Sequence, residues 1–154
     1  MFHIVDDDNY IREFLSELLI LLGHGVESFA CPLQYLSYME SPGFTRPICV
    51  FTDIRMPEMS GYEMIEEIHR RYPEQRIVTI SGYSQEKPPG LRTCQFIGKP
   101  FNPADIEQLV TTLAKCHAMD GAPDAGGDVR GGAPDESWKC PINCFECDRN
   151  KRPA

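Results

Sequence analysis

Two kinds of apolar pattern alternate along the chain. Short continuous runs, "FHIV" (2–5), "VESF" (26–29), "ICVF" (48–51), "RIVTI" (76–80) and "QFIG" (95–98), read as strands. Between them, apolar residues recur every three or four positions, which is the period of a helix with one buried face. Ile11, Phe14, Leu15, Leu18, Leu19 and Leu22 form the first such stripe, and Gly23 stands where a helix ends. A weaker helix opens at Pro32 and runs to about Met39. A third spans about Gly61 to Arg71, with Met64, Ile65 and Ile68 on one face and Pro73 closing it. The last, 103–116, starts with proline in the first turn and carries Ile106, Leu109, Val110 and Leu113. Continuous apolar strands alternating with helices predict a parallel sheet covered on both faces, a doubly wound α/β domain. In such sheets ligands gather beyond the carboxyl ends of the strands.

Composition narrows the setting. The 154 residues, 42% apolar and 25% charged, suit one domain plus an extension. About 115 residues can bury a core without disulfide staples. No apolar run reaches the roughly 20 residues a membrane span needs. The start, Met1-Phe2-His3-Ile4-Val5, has no basic region and no small-residue cleavage site, so a cytoplasmic protein is expected. Net charge is −8, of which residues 1–117 carry −6 and 118–154 carry −2, and neither part has a basic stripe. Direct nucleic-acid binding is disfavoured on that ground. Cys31, Cys49, Cys94 and Cys116 are scattered and read as small buried hydrophobes.

The residues that follow the strand runs carry the chemistry. They are Asp6, Asp7 and Asp8 after the first, Asp53 after the third, Ser81 after the fourth and Lys99 after the fifth. Each alone has an ordinary explanation as a cap, a turn or a solvated loop. Together, on one rim, they describe more. Crowded carboxylates repel unless a cation joins them, and Mg²⁺ prefers oxygen ligands. A metal and a lysine beside Asp53 would neutralise an arriving phosphoryl group, with Ser81 hydrogen-bonding it, which is the equipment for phosphoryl transfer to a carboxylate nucleophile.

At "IVDDD" (4–8), "FTDIRMPEMSGYEM" (51–64), "VTISGYS" (78–84) and "FIGKPF" (96–101), residues 1–117 resemble the receiver domain of two-component response regulators. The resemblance implies a flavodoxin-like fold, a five-stranded parallel sheet in the order 2-1-3-4-5. It implies that Asp53 accepts a phosphoryl group from a sensor histidine kinase or a phosphotransfer protein. Asp7, Asp53 and the backbone carbonyl of Arg55 would ligate Mg²⁺, with Asp6 acting through water. Ser81 matches the switch hydroxyl, Lys99 the phosphate-pairing lysine, and Phe96 the aromatic that turns inward when the hydroxyl moves. Lys99-Pro100 would be a cis peptide, and Asp8 a helix cap. Such a protein signals to a protein partner. It is not an enzyme beyond self-phosphorylation and self-dephosphorylation.

The sequence departs from the family between Ser81 and Lys99. That segment is short and holds Pro88-Pro89-Gly90, so the family's helix 4 is expected to be shortened or missing. Arg55 and Tyr83, two residues beyond Asp53 and Ser81, are bulky enough to shield an aspartyl phosphate from water. Residues 118–137, rich in Gly, Ala, Pro and Asp, read as a flexible linker to a Cys-rich tail segment, 138–154. The last 37 residues are too few for a DNA-binding or catalytic effector domain. Cys140, Cys144 and Cys147, spaced C-x₃-C-x₂-C, suit Zn²⁺ or an iron–sulfur cluster. Asp148, His117 and Cys116 are candidates for a fourth ligand; three reduced thiols in a docking segment with Trp138, Ile142 and Phe145 are the simpler account. Two other readings remain. One is a metal or redox sensor built on that tail. The other is a phosphatase of the haloacid-dehalogenase type, which needs an acidic pair after its lysine; within the domain only Asp105 and Glu107 follow Lys99, both in a predicted helix.

Overall fold

A computed structural model of the chain describes residues 1–82, 90, 91 and 93–119. Their elements run β1 (Phe2–Val5), α1 (Asn9–Leu21), β2 (Val26–Phe29), α2 (Pro32–Met39), β3 (Val50–Asp53), α3 (Gly61–Arg71), β4 (Ile77–Ser81), β5 (Gln95–Gly98) and α4 (Pro103–Met119). The strands form one sheet in the order β2-β1-β3-β4-β5, every pair parallel. All five carboxyl ends therefore lie along one rim.

Period-two alternation sorts the strand residues onto the two faces. Phe2 and Ile4 of β1, Phe51 of β3, and Val78 and Ile80 of β4 enter one core with Leu15 and Leu19 of α1 and Ile106, Val110 and Leu113 of α4. Val5, Val50 and Ile77 point the other way, into a second core with Tyr35 and Met39 of α2 and Met64, Ile65 and Ile68 of α3. His3 is also fully buried there, among the rings of Phe29, Tyr35, Tyr38 and Phe44. Its Nδ1 lies 2.9 Å from the Tyr35 hydroxyl, while Nε2 has no hydrogen-bond partner among the described residues.

Local chemistry sets the helix ends. The Asp8 side chain caps α1 by accepting from the amides of Tyr10 and Ile11, as expected. Gly23, with φ +88, takes the left-handed turn after that helix. Ser60 and Glu63 form a reciprocal capping box on α3.

Several boundaries differ from the pattern-based reading. β3 and β4 each sit one or two residues further on, so Asp53 and Ser81 are the last residues of their strands rather than the first after them. The ladder decides this, since Asp53 pairs with Ile80 and Ser81 with Gly98. α4 continues to Met119, past the expected end at Cys116, and so across the 117/118 division. Phe14 is at the margin of its core, 39% exposed and 5.7 Å from the Phe101 ring. Strand β5 is a sheet edge and largely exposed. The shortened or missing helix between β4 and β5 falls chiefly on 83–89 and 92, outside the described residues, as do the linker from 120 onward and the Cys-rich tail. Cys49 and Cys116 are buried free thiols; Cys31 and Cys94 are half-buried. Among the described residues, no helix is long and apolar enough to cross a membrane.

Candidate functional site

The β1–α1 turn, the end of β3 and the residue after β5 meet at the carboxyl rim of the sheet. Asp6 follows β1 and is 2% exposed; Asp53 closes β3 and is 8% exposed. Asp7, between Asp6 and the cap Asp8, faces solvent. Carboxylate oxygens of Asp6, Asp7 and Asp53 lie within 4.8 Å of one another. The Lys99 ammonium donates to Asp6 Oδ2 at 3.0 Å and to Asp53 Oδ2 at 3.2 Å. Backbone amides hold the other oxygens: Asp8 N donates to Asp6 Oδ1 at 2.8 Å and Ile54 N to Asp53 Oδ1 at 2.7 Å. Both buried carboxylates are thus fixed in rotation.

Burial pushes the Asp6 carboxyl up to about 6, against the pull of the Asp8 amide and Lys99. Burial alone would lower the Lys99 ammonium, but its bonds to Asp6 and Asp53 outweigh that and hold it above the usual lysine value. Lys99 reaches two of the three acids, so negative charge predominates. A hard divalent cation suits this all-oxygen donor set.

Ser81 ends β4 next to β3, is 2% exposed, and its carbonyl accepts from the Lys99 amide at 2.8 Å. The Lys99-Pro100 bond is cis, as expected. Phe96, on β5, is 43% exposed. Gly61 opens α3 directly beneath the site. Its amide donates to the Ile54 carbonyl at 2.8 Å, and a Cβ there would meet the Asp53 carbonyl oxygen at 2.0 Å. Only glycine lets the α3 start approach β3 this closely.

A family described as the response regulator receiver domain matches residues 2–111. This chain belongs to that family. Its receiver domain resembles the transcriptional regulatory protein FixJ of Azorhizobium caulinodans, 30% identical over 132 residues, covering 82% of this chain and 61% of FixJ. The chain therefore spans about three-fifths of that relative. It also resembles the chemotaxis protein CheY of Thermotoga maritima, 29% identical over 118 residues, covering 73% of this chain and 95% of CheY. Among solved structures, a CheY-like receiver domain from Methanospirillum hungatei JF-1 superimposes with a TM-score of 0.66 at 27% identity, covering 76% of this chain and 95% of that one. Receiver domains are signalling proteins rather than conventional enzymes, and response regulators work with sensor histidine kinases.

The receiver domain thus gathers Asp6, Asp7, Asp53 and Lys99 at one point, with Ser81 beside them at the rim. Tyr83 and the tail residues Cys140, Cys144, Cys147 and Asp148 lie outside the described residues. Of the other candidates for a tail ligand, Cys116 packs inward on α4 at 3% exposure, and His117 is half-buried. The pattern-based reading missed Gly61 as a close-approach residue, the Ile54 amide on Asp53, and Arg12. Arg12 carried one visible signal: a cation in the first turn of a helix, where the helix dipole disfavours it.

Proposed function

We propose that this protein is a cytoplasmic phosphoacceptor response regulator, modified on Asp53 by a sensor histidine kinase or phosphotransfer protein. The observation that carries the reading is the meeting of three carboxylates and Lys99 beyond the carboxyl ends of parallel strands. Asp7 and Asp53 would hold Mg²⁺ together with the Arg55 carbonyl, and Asp6 would act through a bound water. When bound, the metal supplies positive charge to the oxygens of an incoming phosphoryl group.

The chain's own groups do the rest. The Ile54 amide orients the Asp53 carboxylate, and one of its oxygens attacks phosphorus. The bond from phosphorus to the donor's nitrogen or oxygen breaks, and the donor leaves with that electron pair. Lys99, already bonded to Asp53 Oδ2, is placed to pair with the arriving oxygens. Phosphorylation adds nearly two negative charges at the rim. Ser81 and Lys99 are drawn to them, and Phe96 turns into the space that Ser81 vacates. A protein partner reads the altered β4–β5 surface. Arg55, exposed beside the site, slows hydrolysis of the acyl phosphate by crowding its approach. Small donors such as acetyl phosphate support the same transfer without a kinase.

The test is incubation with acetyl phosphate and Mg²⁺, followed by intact mass and peptide mapping. The expected result is one phosphoryl adduct on Asp53, stable in acid, lost in base and absent from Asp53→Asn. An adduct that maps elsewhere would sink the reading. A pull-down with and without beryllofluoride, an acyl-phosphate mimic, then identifies partners gained on activation.

A further inference from the structure

We propose that Arg12 is a positioning residue for the acid pair. Its guanidinium locks the peptide plane between Asp6 and Asp7, and so pre-sets the carboxylates for a divalent cation. This inference rests on reading the acidic rim as a Mg²⁺ site.

The geometry is a fork. Arg12 Nη1 donates to the backbone carbonyl of Asp6 at 2.7 Å, and Nη2 donates to Asn9 Oδ1 at 2.8 Å. Asn9 Nδ2 in turn donates to Glu13 Oε1 at 2.8 Å. The Asp6 carbonyl belongs to the same rigid peptide plane as the Asp7 amide. Holding that oxygen therefore fixes the direction in which the chain leaves Asp6 and enters Asp7. The Asp6 carboxylate is pinned separately by the Asp8 amide and Lys99. Asp7 is exposed, and its orientation depends on the backbone beneath it.

The acids at 6–8 attract any cation here, so charge alone does not call for arginine over lysine. The first turn of α1 carries no acid, and a cation there opposes the helix dipole. Arg12 is half-buried and turned towards a carbonyl rather than towards solvent. A planar guanidinium can bond two acceptors at fixed angles, whereas a lysine ammonium cannot reproduce that fork. Partners that orient metal ligands without touching the metal typically change affinity by about 10–100-fold when removed.

Two effects of the same substitution have opposite signs. Removing a positive charge near a cation site tightens Mg²⁺ binding by Coulomb's law. Loosening the acid pair weakens it. The experiment is calorimetric titration of the full chain with Mg²⁺ alone, comparing wild type, Arg12→Met, Arg12→Lys and Asn9→Ala. Unfolding midpoints are taken in parallel. Amide exchange at Asp8 is followed in metal-free protein.

Both Arg12 variants are expected to bind Mg²⁺ about 10-fold or more weakly, with faster exchange at Asp8. Asn9→Ala, which frees one arm of the fork, should fall between. An Arg12→Met protein that binds as tightly as wild type, or tighter, overturns the proposal. So does Arg12→Lys at wild-type affinity, since charge alone would then suffice. Should Arg12→Met not fold, Arg12→Lys and Asn9→Ala still decide it. Wild type that takes up no Mg²⁺ overturns the reading of the site itself, and this inference with it.

Discussion

At the scale of single residues, the buried polar groups explain most. His3 is fully buried among aromatic rings, and burial pushes its imidazole down to about 4. In the unfolded chain it would take a proton near pH 6.5. The unfolded state therefore binds more protons between those two values, and His3 stabilises the fold less as pH falls through that window. The full effect is on the order of 3 kcal/mol. Asp6, raised to about 6, works in the opposite direction over much of the same range. The informative measurement is thus the difference between wild type and His3→Gln in urea unfolding from pH 7 to pH 4. Wild type should lose stability more steeply; parallel curves would show that His3 titrates normally. Neither this histidine nor Arg12 stands out by composition. A pattern reading marks His3 as one polar residue in an apolar run, and what surrounds it comes from chain 26 to 41 residues away.

At the scale of elements, the sequence was legible wherever one local rule governed. The α1 boundaries follow from Asp8 and Gly23, and those of α3 from Ser60 and the proline beyond Tyr72. Strand ends were less legible, because a polar residue such as Asp53 or Ser81 breaks the apolar run while still making ladder bonds with its neighbour. The α4 end was missed for a related reason: no glycine or proline marks it until Gly121. The three acids and the lysine of the site were readable because they lie at the ends of apolar runs. Their bonds to Ile54 and Arg12 were not, since these depend on how turns fold back. The cap of α3 provides a test at this scale. Ser60 accepts from the Glu63 amide at 3.2 Å, and Glu63 returns the bond to the Ser60 amide at 2.7 Å. Ser60→Ala should cost about 1 kcal/mol, read from the urea midpoint, and leave Mg²⁺ binding near wild type because the cap lies outside the acid cluster. A change of less than a few tenths would mean that packing of Met64, Ile65 and Ile68 alone holds the helix.

At the scale of the molecule, family resemblance and physical domain end at different residues. The family match stops at residue 111, but Leu113 and Cys116 remain buried at 1% and 3% exposure. A chain ending at 111 discards both, and burial of that size is worth about 2–4 kcal/mol. A chain ending at 119 should unfold at the same urea concentration as the full protein, while one ending at 111 should unfold earlier. Equal midpoints for all three would show that the last two turns of α4 contribute nothing. The two cores are separated by a single layer of strands, so changes in Leu15 and in Ile65 strike different compartments.

The close approach of Gly61 has a wider meaning. Residue 53 closes a ladder rung with Ile80, and its carbonyl lies hard against the first turn of α3. The backbone of Asp53 therefore has no room to shift towards α3. The outer strand β5, by contrast, is largely exposed, with Phe96 43% bare. On the proposed function, a change at Asp53 is passed to that edge rather than into α3.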